Sequence, residues 1–175
     1  MDGPKTAVAL WEVAGATYGD VRTVGFWRHQ FTVWYRTEVL KLKKGTGTAQ
    51  VSVQELLSYL KFIRANSEYF DDLIPDPEVK PSDALMYAYN LLAPLKAHTM
   101  KEAAEQQLFA VWLNLARKAF FTCQKLSQSS EYVYQTYELE TIAKAIQWCE
   151  ENISTQAAAV KDVCDSINNN RGIIW

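Results

Sequence analysis

Apolar positions recur at three- and four-residue spacing along most of the chain, which is the signature of helices buried on one or more faces. Trp27, Phe31, Trp34, Glu38 and Leu42 fall on one stripe of a helix spanning about residues 25–42, while Phe26, Val33 and Leu40 fall elsewhere on the wheel. Apolar residues on more than one face imply a helix enclosed by others. Gly45-Thr46-Gly47-Thr48 ends it in a loop. Ser52-Val53-Gln54-Glu55 has the form of a capping box, with Leu56, Leu57, Leu60 and Ile63 as the inner stripe of the helix it opens. Asn66-Ser67 interrupts that helix, and residues 68–73 add a further turn. Pro75, Pro77 and Pro81 mark a rigid connection, because proline lacks an amide donor and restricts the residue before it. A short helix then runs from Ser82 to about Leu92 and stops before Pro94.

Thr99-Met100-Lys101-Glu102 is a second capping box and opens the strongest helix. Ala103, Ala104, Gln107, Leu108, Val111, Trp112, Leu115, Ala116, Ala119 and Phe120 keep helical spacing for about five turns, which places it at the centre of the fold. A polar loop at residues 127–130 precedes another helix, from about Tyr132 to Ile153, with Leu139, Ile142, Ile146 and Cys149 inward. Ser154 is the expected cap of a last helix carrying Val160, Val163, Cys164 and Ile167, closed by Asn168-Asn169-Asn170-Arg171-Gly172. Residues 7–13 have the composition of a short extended segment. The expected organisation is an N-terminal arm or linker over 1–22, a helical domain over 23–170 and a C-terminal tail over 171–175. The fold class is all-α, an irregular bundle of five or six helices.

Composition narrows the function classes. An apolar fraction of 49% in 175 residues is enough for one real core and argues against disorder. A net charge of −2 gives no basic face to neutralise phosphates, so nucleic acid is not an expected partner. Lys41, Lys43 and Lys44 are read as ordinary helix-end cations, favoured there by the helix dipole. No apolar run reaches membrane-spanning length, and no membrane insertion is expected. Met1-Asp2-Gly3-Pro4 does not open a basic-then-apolar leader, and localisation is not readable from this end.

Candidate chemistry is sparse. His29 and His98 are the two histidines, and Cys123, Cys149 and Cys164 include no Cys-x-x-Cys, so neither a metal site nor a cofactor is expected. Cys149 and Cys164 are a disulfide candidate on consecutive helices; the other reading makes them small buried hydrophobes. Asp71, Asp72, Asp76 and Glu78 lack calcium-loop spacing and are read as solvated acids. Asn152-Ile153-Ser154 matches a glycosylation acceptor, but its expected role is a turn between helices. No Gly-x-Ser-x-Gly elbow or phosphate loop is present.

The most distinctive string is Gly25-Phe26-Trp27-Arg28-His29-Gln30. One reading places Trp27 and His29 in a ligand pocket with Arg28 supplying charge. The preferred reading makes Trp27, His29 and Gln30 a structural knot against the central helix through Asn114, since buried polar groups find partners. A hydrolase using His29 with a carboxylate, and a small-molecule or metal-binding bundle, are the alternatives.

That string resembles the Gly-Phe/Tyr-Trp-Lys-His/Asn opening of uncharacterised helical modules found in large secreted bacterial and archaeal proteins. Gln107-Leu108-Phe109-Ala110-Val111-Trp112-Leu113-Asn114 is similar to their central helix, and Val163-Cys164-Asp165-Ser166-Ile167-Asn168-Asn169 to their closing one. Arg28 stands where lysine is usual, which keeps the charge and changes its geometry. The resemblance implies no activity. It implies an extracellular or cell-surface setting, beside repeat or adhesion-like domains of a long exported polypeptide. With no nucleophile constellation in the sequence, the leading reading is a non-catalytic structural or interaction module whose partners are other domains of a larger polypeptide or another protein.

Overall fold

Thr23 starts the first helix by accepting the Phe26 amide on its hydroxyl, and the chain from there is helical in short, capped pieces. The computed structural model describes residues 19–42, 47–94, 99–128 and 134–175. Among these are α1 (Val24–Trp34), α2 (Val53–Asn66), α3 (Pro81–Leu92), α4 (Met100–Ala116), α5 (Ile142–Asn152) and α6 (Ala157–Asn168), with two isolated β-bridges and no sheet. The protein is an all-α bundle. The extended segment expected over 7–13 lies outside the described residues.

Both capping boxes form. The Ser52 hydroxyl accepts the Glu55 amide while Glu55 takes the Ser52 amide, and Thr99 and Glu102 repeat the exchange. Pro81 opens α3 at a position where a missing donor costs nothing. Every residue from Leu108 to Leu115 is buried, and α4 packs against all five other helices. It is the central element, as its pattern implies.

Four features depart from the sequence reading, each for a backbone reason. The first helix does not continue regularly to Leu42. It widens into a π turn over Tyr35–Val39, where the Thr37 hydroxyl donates back to the Val33 and Trp34 carbonyls and Tyr35 stacks on Tyr89 at 4.1 Å. α4 ends at Ala116 instead of running to Phe120. Lys118 takes a left-handed conformation (φ 64°), and the Lys118 and Ala119 amides return to the Leu115 and Asn114 carbonyls, closing a Schellman motif.

The helix expected over 132–153 is only α5. Glu138 turns left-handed (φ 56°) to end a turn at 134–138, and residues 140–142 then bond to 124–126 before Thr141 caps α5. Lastly, Ser154 is exposed and does not cap α6, whose N-cap position is Gln156. The Thr155 and Gln156 amides both close on the Asn152 carbonyl, which uses the turn that a serine cap would need.

The segments set apart as arm and tail are attached where they are described. The Gly19 amide donates to the Ala119 carbonyl. Ile173 is buried and bridges Leu126, while the Tyr134 hydroxyl donates to the Arg171 carbonyl. α6 ends in the same left-handed motif as α4, with Asn170 (φ 57°) at the turning position.

Candidate functional site

Trp27 and Asn114 do meet, and they are the centre of a polar network. Asn114 Oδ1 accepts from the Arg22 amide at 2.9 Å and from Trp27 Nε1 at 3.3 Å. Its Nδ2 donates to the Arg22 carbonyl at 2.7 Å and to Asn168 Oδ1 at 3.0 Å. Asn168 Nδ2 in turn donates to the carbonyl and the side-chain oxygen of Gln107, and Gln107 Nε2 donates to Asp165. Asn114, in the last turn of α4, thus joins the entry of α1 to the end of α6, and Asn168 carries the network on to the middle of α4. Outside it, Asp20 takes hydrogen bonds from both Arg22 and Arg117. Partial burial works to raise the Asp20 carboxyl, but Arg117 and then Arg22 hold it below the usual range.

Gln30 is also buried but serves a different segment. Its Oε1 accepts the Gln50 amide at 2.8 Å and the Val51 amide at 3.2 Å, which hold the chain entering α2 against α1. Because both partners are donors, the amide orientation is determined and Nε2 faces away from them. Among the described residues Nε2 has no acceptor, which is unusual for a buried donor. Gln30 lines a cleft of about 460 Å³ together with Val33, Trp34, Val51, Val53 and Leu56. Val53 is exposed, and so are Val39, Leu40 and Leu42, which follow the cleft residue Glu38 in the chain.

The other two residues of the motif leave the knot. Arg28 is half-buried, and its Nε donates to the Leu92 carbonyl at 2.6 Å, closing the end of α3. His29 is exposed, with its ring over Gly47, so close that a side chain there would collide with it at 2.6 Å. The His29 ring lies against Gly47 and Val33 is beside the same position, so its described surroundings are backbone and an aliphatic side chain. His98 lies outside the described residues.

A third, partly buried polar centre was missed by sequence reasoning. Glu150 on α5 accepts from Ser67 Oγ, from the Glu68 amide at 3.2 Å and from Trp112 Nε1 at 2.9 Å. Burial raises its carboxyl above the usual range, against the pull of those hydrogen bonds. Its signal was present, because Glu150 continues the Ile142, Ile146 stripe at four-residue spacing. Asn168 carried the same signal as the continuation of Val160 and Cys164.

No protein-family model, curated protein or solved structure matches this chain. Among the described residues no three histidine, cysteine or acidic side chains converge as metal ligands. The acids near residue 76 are engaged locally, Asp76 capping the Glu78 amide and Glu78 pairing with Lys61. Asn152 donates its side-chain amide to the Trp148 carbonyl and accepts from Gln156, so the glycosylation-type nitrogen is part of the helix turn. No helix among the described residues is long and apolar enough to cross a membrane. Cys149 and Cys164 are free thiols in this structure, with their sulfurs 3.5 Å apart, so the bridge the spacing suggested is not formed here.

Proposed function

We propose that the chain is a non-catalytic structural or interaction module of an exported multidomain protein. Its contact face is the cleft between α1 and residues 47–56, and its partner is an apolar segment of a neighbouring domain or of another protein. The observation that supports this reading is apolar exposure at and next in sequence to the cleft. Val53 lines it and is exposed, and Val39, Leu40 and Leu42 are exposed in the residues that follow its Glu38. Val33, Trp34, Val51 and Leu56 line it together with polar residues such as Thr37, Thr48 and Ser52. Grouped apolar exposure of this kind marks contact surfaces, whereas single exposed hydrophobes are ordinary. The exported setting is supported by the resemblance of three strings along the chain to secreted modules.

The reading frame around these residues tests the setting. A leader and neighbouring repeat domains support it, and a frame encoding only a short leaderless protein rejects it. Amide hydrogen exchange tests the face. In the protein joined to its neighbours, residues 33–42 and 47–56 should exchange more slowly than in the isolated chain. Replacing Leu40 and Leu42 with serine should abolish that protection and leave the isolated chain's melting unchanged. Equal exchange in both contexts would reject the cleft as the contact face.

A further inference from the structure

Cys149 sits near the end of α5 and Cys164 in the second half of α6, and only residues 153–156 separate the two helices. Both thiols are buried, 15 positions apart in sequence, and their sulfurs approach to 3.5 Å. A disulfide needs about 2.05 Å between sulfurs, so closure requires a movement of about 1.5 Å shared by two side chains on adjoining helices. Cys123, the remaining cysteine, is exposed and belongs to the turn after α4. The pair and the single thiol are therefore in opposite chemical situations.

We propose that Cys149 and Cys164 are a disulfide-forming pair that locks α5 to α6 under oxidising conditions. The step is thiol–disulfide exchange with a small disulfide as oxidant. One cysteine, as thiolate, attacks the oxidant and forms a mixed disulfide, releasing one thiol. The second cysteine displaces the other half, so the protein gives up two electrons and two protons and the oxidant leaves as two thiols. The direction of the Cys164 thiol says when this happens. Burial, then the neighbouring Cys149, pushes it well above its ordinary value, so Cys164 is a poor source of thiolate while it stays buried. The bond forms while the hairpin is folding or transiently open, and the closed fold then shields it from reductants. This assignment stands on the sulfur geometry and does not depend on the proposed contact face or on export.

The test uses the full chain carrying Cys123→Ser, which removes the exposed thiol from the count. The protein is reduced in denaturant, refolded with or without oxidised glutathione, denatured again and alkylated. After refolding with oxidant, no alkylated cysteine and no glutathione adduct should be found, and the intact monomer should be lighter by the mass of two hydrogens. Without oxidant both cysteines should be alkylated. Two alkylated cysteines, stable glutathione adducts or cross-linked dimers after oxidative refolding would overturn the pairing. A urea titration supplies the second readout. Closing a loop of about 15 residues should raise the folding equilibrium constant about a hundredfold. A bridge that forms but lowers the urea midpoint would also overturn the proposal, because the native hairpin would then oppose it.

Discussion

Asn114 uses all four of its hydrogen-bonding positions, whereas Gln30, just as buried, uses only the two on its oxygen. The two amides are on different sides of the same construction problem. Asn114 projects from the central helix towards polar groups of the segment entering α1 and of α6, and its own four positions are filled, although Nε of Arg22, whose backbone it binds, is buried without a partner among the described residues. Gln30 projects from α1 towards a single extended stretch at residues 50–51, and an open cleft lies beyond it. The comparison separates an amide whose four positions are all filled from one that, among the described residues, keeps an unpaired donor beside a cleft. An unpaired buried donor beside open space in a native protein marks a place where something else can be accommodated.

The largest expected effect comes from breaking the Asn114 side. Asn114→Ala strands the Arg22 amide and carbonyl, Trp27 Nε1 and Asn168 Oδ1 together. With each unpaired buried group costing about 1–3 kcal/mol and partial relief by water, the loss should reach about 3–5 kcal/mol. Urea unfolding followed by tryptophan fluorescence measures it. A loss below about 1 kcal/mol would show that the network is not holding the bundle together.

Gln30→Ala should cost less, about 1–3 kcal/mol, because it strands only the Gln50 and Val51 amides and removes a donor that was already unpaired. If Gln30→Ala proves as damaging as Asn114→Ala, the contrast between the two regions fails.

Glu150 sharpens the comparison through pH. Its carboxyl is raised on folding, chiefly by burial, so the folded state holds the proton more tightly than the unfolded chain does. Its contribution is therefore fully present below the unfolded value and is lost as pH rises through the raised one. Relative to Glu150→Gln, which does not titrate, the natural protein should gain stability as pH falls through that window. A difference that stays flat, or that runs the other way, would remove Glu150 from the polar centres.

The smallest effect belongs to His29. It is exposed and outside both networks, so His29→Ala should change stability by no more than about 0.5 kcal/mol. A larger loss in the same urea titration would return it to the knot that the sequence suggested.

Much of the helical framework could be read locally. Ser52 with Glu55 and Thr99 with Glu102 announce their helices because a capping box is completed within four residues. The unbroken burial of Leu108–Leu115 in α4 follows from apolar residues on every side of that part of the helix. Asn114 was recognisable as a polar residue in that setting, and Trp27 as its counterpart on α1. The redox-capable pair was recognisable as two cysteines on inward stripes of consecutive helices.

The rest was decided by contacts between distant segments. Nothing in the string His29-Gln30 says that one side chain turns outward over Gly47 and the next turns inward to the backbone at residues 50–51. Lys118 and Glu138 end their turns in the left-handed region, where glycine or asparagine is the local signal, so their sequences did not mark those ends. Pairing of residues 124–126 with 140–142, and of Leu126 with Ile173, supplied backbone partners that a longer helix would otherwise have had to provide. Local pattern determines where a helix can start and which face it must bury. Only the assembled bundle determines where it stops and which buried amide is left with room beside it, because those depend on groups brought together from far apart in the chain.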